Sequence, residues 1–282
     1  MTLTVKAVLA IWLLLGSAAG AVAGESTFPD IQRILDQGKL SVAVRSRDAP
    51  PMIMTDNKGA LTGSEADLAR DIGKKMGVAV EFVRTADTYD GVVGIVARRE
   101  ADLAVSFLSS DVRRAKLVYF SQPYVRQGGR VFYNRAAFAR LKRNLGIETI
   151  GQLAETDVAA TLVVGVLEGS VYAGLLKRDM PQLTVKTYRS LAEIVSAVKE
   201  GRIFAGLHGE LQIEYYMRQH PETAIYVAVE PDVRLPSDIC IAVRPDAPNL
   251  LRWVNVYLAD HVGILDKSEL IERYLEPTLE PE

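Results

Sequence analysis

The stretch from Ser106 to Tyr124, SFLSSDVRRAKLVYFSQPY, decides how this chain is read. It runs from an apolar strand end through the pair Ser109-Ser110 into a predicted helical turn carrying Arg113 and Arg114. It leaves through Tyr119, Phe120 and Tyr124. Serine hydroxyls and backbone N–H groups at the start of a helical turn point toward an incoming anion. A guanidinium beside them adds a forked, permanently charged donor that fits a carboxylate. The stretch therefore reads as an anion-binding corner, most simply for a carboxylate. A solvated turn whose arginines make surface ion pairs is the competing reading, and the stretch alone weighs the two evenly.

Upstream, strands and helices alternate. Ile31, Ile34 and Leu35 recur at helical spacing and Gly38 is a natural stop. Leu40–Val44 reads as a strand, broken by Pro50 and Pro51. Glu65–Met76 carries Leu68, Ala69, Ile72 and Met76 on one helical face and ends at Gly77. A strand over Val78–Val83, a helix over Gly91–Arg98 and a short strand over Leu103–Val105 deliver the chain to the anion corner.

The same order recurs about a hundred residues later. Leu162–Val166 reads as a strand, Gly169-Ser170 opens a helix to Lys177, and Leu183–Tyr188 is a strand. Ser190-Leu-Ala-Glu193 is a capping box for a helix to Lys199, and Phe204–Leu207 is a short strand. Two such sets predict two α/β lobes with parallel sheets. Ligands in such sheets sit beyond the carboxyl ends of the strands. The corner and Gly169-Ser170 both lie at such ends, which lets them face one another across a cleft. Ile239–Val243 reads as a further strand, Asn249–Val262 and Lys267–Leu275 as helices, and Glu276–Glu282 as a loose end.

Composition limits the functions available. Residues 1–23 combine Lys6, an apolar run from Ala7 to Gly16 and the small residues Ala21-Val22-Ala23. That is a cleavable export signal too short to span a bilayer. The formal net charge is −2, and removal of Lys6 with the leader takes it to about −3. Such a balance argues against nucleic acid or an anionic membrane as partner. The single cysteine, Cys240, lies in an apolar run and reads as an inert buried thiol. His208, His220 and His261 show no metal-binding spacing, and no Ser/His/Asp set can be placed together. The residues therefore call for no metal, no cofactor and no catalytic group.

Several segments together resemble the solute-binding proteins of polar amino-acid ABC transporters. They are GKLSVAVRSRDAPPM from Gly38, GSEADLARDIGKKMGVAVEF from Gly63, the run from Tyr89 through Tyr124, and DICIAVRPDAPNLLRWVNVYLAD from Asp238. The pattern Arg-x-x-x-Val-x-Phe-Ser-x-Pro-Tyr, Arg114 to Tyr124, is its most specific part. The resemblance implies a type II periplasmic binding fold, with two α/β lobes joined by two crossover strands and a ligand cleft between them. Lobe one is then 24–130 with 239–282, and lobe two 131–238. It implies a periplasmic monomer that closes around a small carboxylate ligand and presents it to an ABC transporter permease.

By the same resemblance Arg114 clamps the ligand's carboxylate with Ser109 beside it, and Arg113 is a solvated neighbour. Gly169 and Ser170 bring the second lobe's helix start to the same group, and Tyr89 covers the ligand's side chain. An ordinary helix cap at Ser170 and a packed core tyrosine at Tyr89 are the competing readings. Two departures concern a ligand's amine. Where the family has an aspartate for the ligand ammonium, this chain has Gly209, followed by Glu210. Glu210 either substitutes or is a first-turn acid favoured by the helix dipole. Asp48 either replaces that partner from lobe one or caps its turn. Two other functions use the same fold: an accessory partner of a periplasmic quinoprotein dehydrogenase, and a dehydratase, for which Glu168 or Glu210 would be the acid.

Overall fold

The computed structural model describes residues 27–274, so the predicted leader and the tail from Glu276 to Glu282 lie outside the described residues. The chain begins with α1 (Pro29–Gln37), which stops where Gly38 turns left-handed at φ 62°. There follow β1 (Lys39–Ala43), a small hairpin of β2 (Met54–Thr55) and β3 (Leu61–Thr62), then α2 (Ser64–Met76), β4 (Ala79–Val83), α3 (Tyr89–Ala97) and β5 (Leu103–Ser109). After β6 (Tyr119–Phe120), the ten-residue β7 (Val125–Asn134) carries the chain across to the other lobe.

That lobe contains α4 (Arg135–Leu145), α5 (Ile150–Leu153), β8 (Val163–Leu167), α6 (Val171–Asp179), β9 (Thr184–Tyr188), α7 (Leu191–Lys199), β10 (Ala205–Gly209) and α8 (Glu210–Gln219). The 17-residue β11 (Val227–Val243) returns to α9 (Pro248–Tyr257) and α10 (Lys267–Tyr274).

The strands form one curled sheet in the order β4-β1-β5-β11-β7-β10-β8-β9. Its two ends are parallel trios, β4-β1-β5 and β9-β8-β10, each with the first strand of its set in the middle. The antiparallel crossovers β11 and β7 join them. The repeated order seen in the sequence is thus a repeated topology, and the fold is the type II periplasmic one. Buried Ile34, Leu40, Val42, Ile72, Leu103 and Leu250 pack one core, while Val92, Ile95, Leu108, Phe132, Ile194 and Ala242 belong to another that runs across both trios. Cys240 is buried in this sheet, where burial raises its thiol to about 11, so it is inert at neutral pH.

One buried acid sets the end of β5. Glu65, in the first turn of α2, is 1% exposed and accepts from the Phe107 N–H and the Tyr124 hydroxyl, each at 2.6 Å. Phe107 has φ 52°, and this bond holds it two residues before Ser109. Burial pushes the Glu65 carboxyl up from 4.5 to about 7. The folded state therefore binds an extra proton between those values, and stability falls as pH rises through that window. The difference is on the order of 3 kcal/mol. Glu65→Gln keeps both acceptor contacts and removes the titration. Its melting temperature is expected to change less than the unaltered protein's between about pH 5 and about pH 7, as thermal denaturation at stepped pH will measure.

Candidate functional site: the cleft between the lobes

β5, β8 and β10 end at Ser109, Leu167 and Gly209, and the segments that follow these carboxyl ends face one another across the crossovers. The sequence places Ser109 at the start of a helical turn; in the structure β5 continues to Ser109 instead. The turn is a 3₁₀ segment of only three residues, Arg114–Lys116. Its N-terminus is satisfied by the chain's own Asp111, whose Oδ1 accepts from the Arg113 and Arg114 N–H groups at 2.6 and 3.0 Å. Ser109 Oγ lies 2.7 Å from Ser237 Oγ on β11. The corner is therefore a strand end with an arginine beside it, and the turn's dipole already has its anion.

Arg114 is 3% exposed. Its Nε–H donates to Asp90 Oδ1 at 2.8 Å, Nη1 to the Ser109 carbonyl at 2.8 Å, and Nη2 to the Gly169 carbonyl at 2.8 Å. The last bond crosses from one lobe to the other. The Asp90 N–H also donates to the Gly169 carbonyl, at 3.2 Å. Gly169 has φ 66°, and a Cβ there would stand 2.8 Å from Thr88 Cβ. The described state is thus closed, with β8's exit seated on the start of α3. Arg113 stands in solvent and pairs with Asp111 at 2.9 Å.

Between these elements lies a cavity of about 20 Å³, walled by Ser109, Arg114 and Tyr89 on one side and Ser170, His208 and Gln212 on the other. That is roughly room for one water. Ser170 Oγ, Gln127 Oε1 and Gln212 Oε1 are buried at it and make no hydrogen bond among the described residues. Buried polar atoms are ordinarily paired, so three on one small cavity mark a polar binding place. Gly209 explains the glutamines: a Cβ there would lie 2.3 Å from Gln212 Oε1 and 3.0 Å from Gln127 Nε2. The two amides fill the space a side chain at Gly209 would take.

His208 is 6% exposed, and burial together with the Arg45 charge lowers it to about 4, so it is neutral. Its Nδ1 accepts from the Gly209 N–H at 2.8 Å, which leaves Nε2 as a donor. Tyr89, His208 and Gln212 also line a larger outer chamber of about 410 Å³ at the mouth of the cleft.

Three predicted site residues, Gly169 (seated against Thr88), Glu210 and Asp48, do not line the inner cavity. Glu210 pairs with Arg130 at 2.6 Å and does not line it. Asp48 lines the outer chamber and not the inner cavity, and its carboxylate accepts from Thr55 N–H and Oγ1 at 2.9 Å and from Arg84 at 3.1 Å. It braces the β2 strand. Sequence reasoning missed Gln127, Gln212, His208 and Arg45. Gly209 was the available signal, since a glycine where a side chain is expected leaves room for neighbours to enter.

Comparison with known proteins agrees with this architecture. The chain is 27% identical over 186 residues to the arginine-binding periplasmic protein of Mannheimia haemolytica, covering 66% of this chain and 69% of that one. It is 24% identical over 253 residues to the L-cystine-binding protein TcyJ of Escherichia coli K12, covering 90% and 87%. Among solved structures, an ancestral amino-acid-binding protein described as a precursor of cyclohexadienyl dehydratase superposes with a TM-score of 0.68 at 26% identity, covering 87% of this chain and 99% of that one. The profile of the bacterial extracellular solute-binding proteins, family 3, matches residues 40–276. With the two parallel trios, the paired crossovers and the cleft between them, this chain belongs to that family.

Proposed function

We propose that the protein is a periplasmic receptor that captures a small carboxylate-bearing ligand in the interlobe cleft and delivers it to an ABC transporter permease, acting as a monomer. The observation that carries this reading is the cavity itself. A buried arginine from one lobe and a buried serine from the other border it, and three polar atoms there have no hydrogen-bond partner among the described residues. In this reading the lobes are residues 24–130 with 239–282, and residues 131–238. Arg114 and Ser109 take the acid group from one side, and Gly169 with Ser170, at the N-terminus of α6, takes it from the other. Tyr89 covers the rest of the ligand.

The inner cavity is small, so entry of a carboxylate requires the lobes to part and Arg114 to exchange an internal acceptor for the ligand's oxygens. The receptor reading is favoured over a dehydratase on the same fold. Glu168 is exposed and Glu210 is held by Arg130, so neither stands at the cavity as an acid. A thermal-shift screen of amino acids and small organic acids tests the proposal. A ligand at a hundred times its Kd is expected to raise the melting temperature by about 5–10 °C. No response to any small acid would overturn the reading.

A further inference from the structure

The outer chamber contains a cation that no carboxylate among the described residues neutralises. Arg45, just past the end of β1, is 4% exposed. Its Nε and Nη2 donate to a backbone carbonyl, that of Asp87, at 3.1 and 3.0 Å, and its guanidinium lies 4.5 Å from the centre of the Tyr89 ring. The Asp87 carboxylate is taken by Arg47 at 3.1 Å. Among the described residues no carboxylate forms an ion pair with Arg45. A guanidinium taken out of water without an anion is costly, and such charges are ordinarily paired. The same chamber is lined by Arg47 and, from the other lobe, by Arg189, which has no ion-pair partner among the described residues. Its one acidic lining residue, Asp48, is already held by Arg84 and Thr55. The chamber is therefore cationic, and it meets the inner cavity at Tyr89, His208 and Gln212.

We infer that Arg45 is a second anion subsite, and that the cleft takes a small acid with a second anionic group at its far end. This rests on reading Arg114 as the first acid subsite. A ligand ending in an ammonium or guanidinium would meet Arg45 across a chamber with no free carboxylate among the described residues, so a cationic far end is rejected. A far-end carboxylate, sulfonate or phosphate shares the chemistry that Arg45 recognises.

Isothermal titration of the purified protein with matched acids tests this. Glutarate is compared with its monoamide, which replaces one carboxylate by a neutral group of the same shape. Glutamate against glutamine repeats the pair with an amine present, and 3-sulfopropanoate and 3-phosphoglycerate identify the kind of far-end anion. The diacid is expected to bind about ten-fold or more tightly than its monoamide. Arg45→Gln is expected to bring that ratio near one, mainly through loss of diacid affinity, and Arg45→Lys to give an intermediate ratio because it keeps charge without the fork. Equal binding of diacid and monoamide by the unaltered protein overturns the inference and leaves the receptor reading standing. So does an unchanged ratio in Arg45→Gln. Absence of binding by every acid overturns both. The ratio in the unaltered protein needs no variant, so a substitution that fails to fold does not remove the test.

Discussion

Arg114→Ala is expected to weaken binding of any acid the protein takes by at least about thirty-fold, with little change in the melting temperature of the unliganded protein. The guanidinium is 3% exposed and borders the inner cavity, so a carboxylate placed there has no solvent to replace it. Truncating one partner of a buried, hydrogen-bonded charge pair costs about 2–5 kcal/mol. The partners that Arg114 leaves behind differ in consequence. The Asp90 side chain is 45% exposed and can be hydrated, while the Gly169 carbonyl keeps the Asp90 N–H. The fold therefore survives and the ligand is lost. Arg114→Lys is expected to recover little, because one ammonium cannot reach the Asp90, Ser109 and Gly169 oxygens and a ligand carboxylate with the geometry of a fork. Isothermal titration beside thermal denaturation measures both sides. Near-normal affinity in Arg114→Ala would remove Arg114 from the site.

Gly169→Ala acts on closure rather than on contact. The added Cβ would stand 2.8 Å from Thr88 Cβ and 3.1 Å from Thr88 Oγ1, and the residue's φ of 66° already disfavours a side chain. Thr88 belongs to the opposite lobe and caps α3 by accepting from the Gly91 N–H at 3.0 Å, so it cannot move aside without loosening that helix. In an open state the two residues separate and only the backbone strain remains. The substitution therefore penalises the closed state selectively, by about 1–3 kcal/mol if it resembles overpacking in a core. Because a ligand binds only as well as its competent state is populated, affinity is expected to fall by about ten- to a hundred-fold. The association step should be less affected than the dissociation rate, as stopped-flow or surface-based kinetics will measure.

Much of the fold was legible because local rules and tertiary packing agree here. Gly38 and Gly77 stop their helices in the left-handed conformation, at φ 62° and 74°, where the periodicity ends. Ser190 accepts from the Glu193 N–H as a capping box requires, though the Glu193 side chain reaches the Arg189 N–H, one residue earlier. The crossovers were legible only through the family resemblance, not from local patterning. Pro231 and Pro236 lie inside β11, where they argue against a 17-residue strand. The register shift between Val229 and Arg234 accommodates this segment, and such a bulge depends on the partner strand β7, not on local sequence.

At the site, Arg114 could be singled out from its surrounding motif. Its neighbours could not, because Gln127 and Gln212 come from β7 and α8 and meet only where β10 pairs with β7 at Gly209. Asp48 and Glu210 looked available as charges. Arg84 and Arg130, distant in sequence, hold them instead. Arg45 is the converse case, a charge that no sequence neighbour marks as unpaired.

Capture by closure around an acid is most directly tested by small-angle X-ray scattering. The unaltered protein would be measured alone and with saturating glutarate or whichever acid raises its melting temperature. The radius of gyration is expected to fall on addition of the acid, with the scattering curve converging on that of the closed structure described above. Gly169→Ala should need about ten- to a hundred-fold more acid to reach the same curve. An acid that binds the unaltered protein without changing its scattering curve would contradict the account.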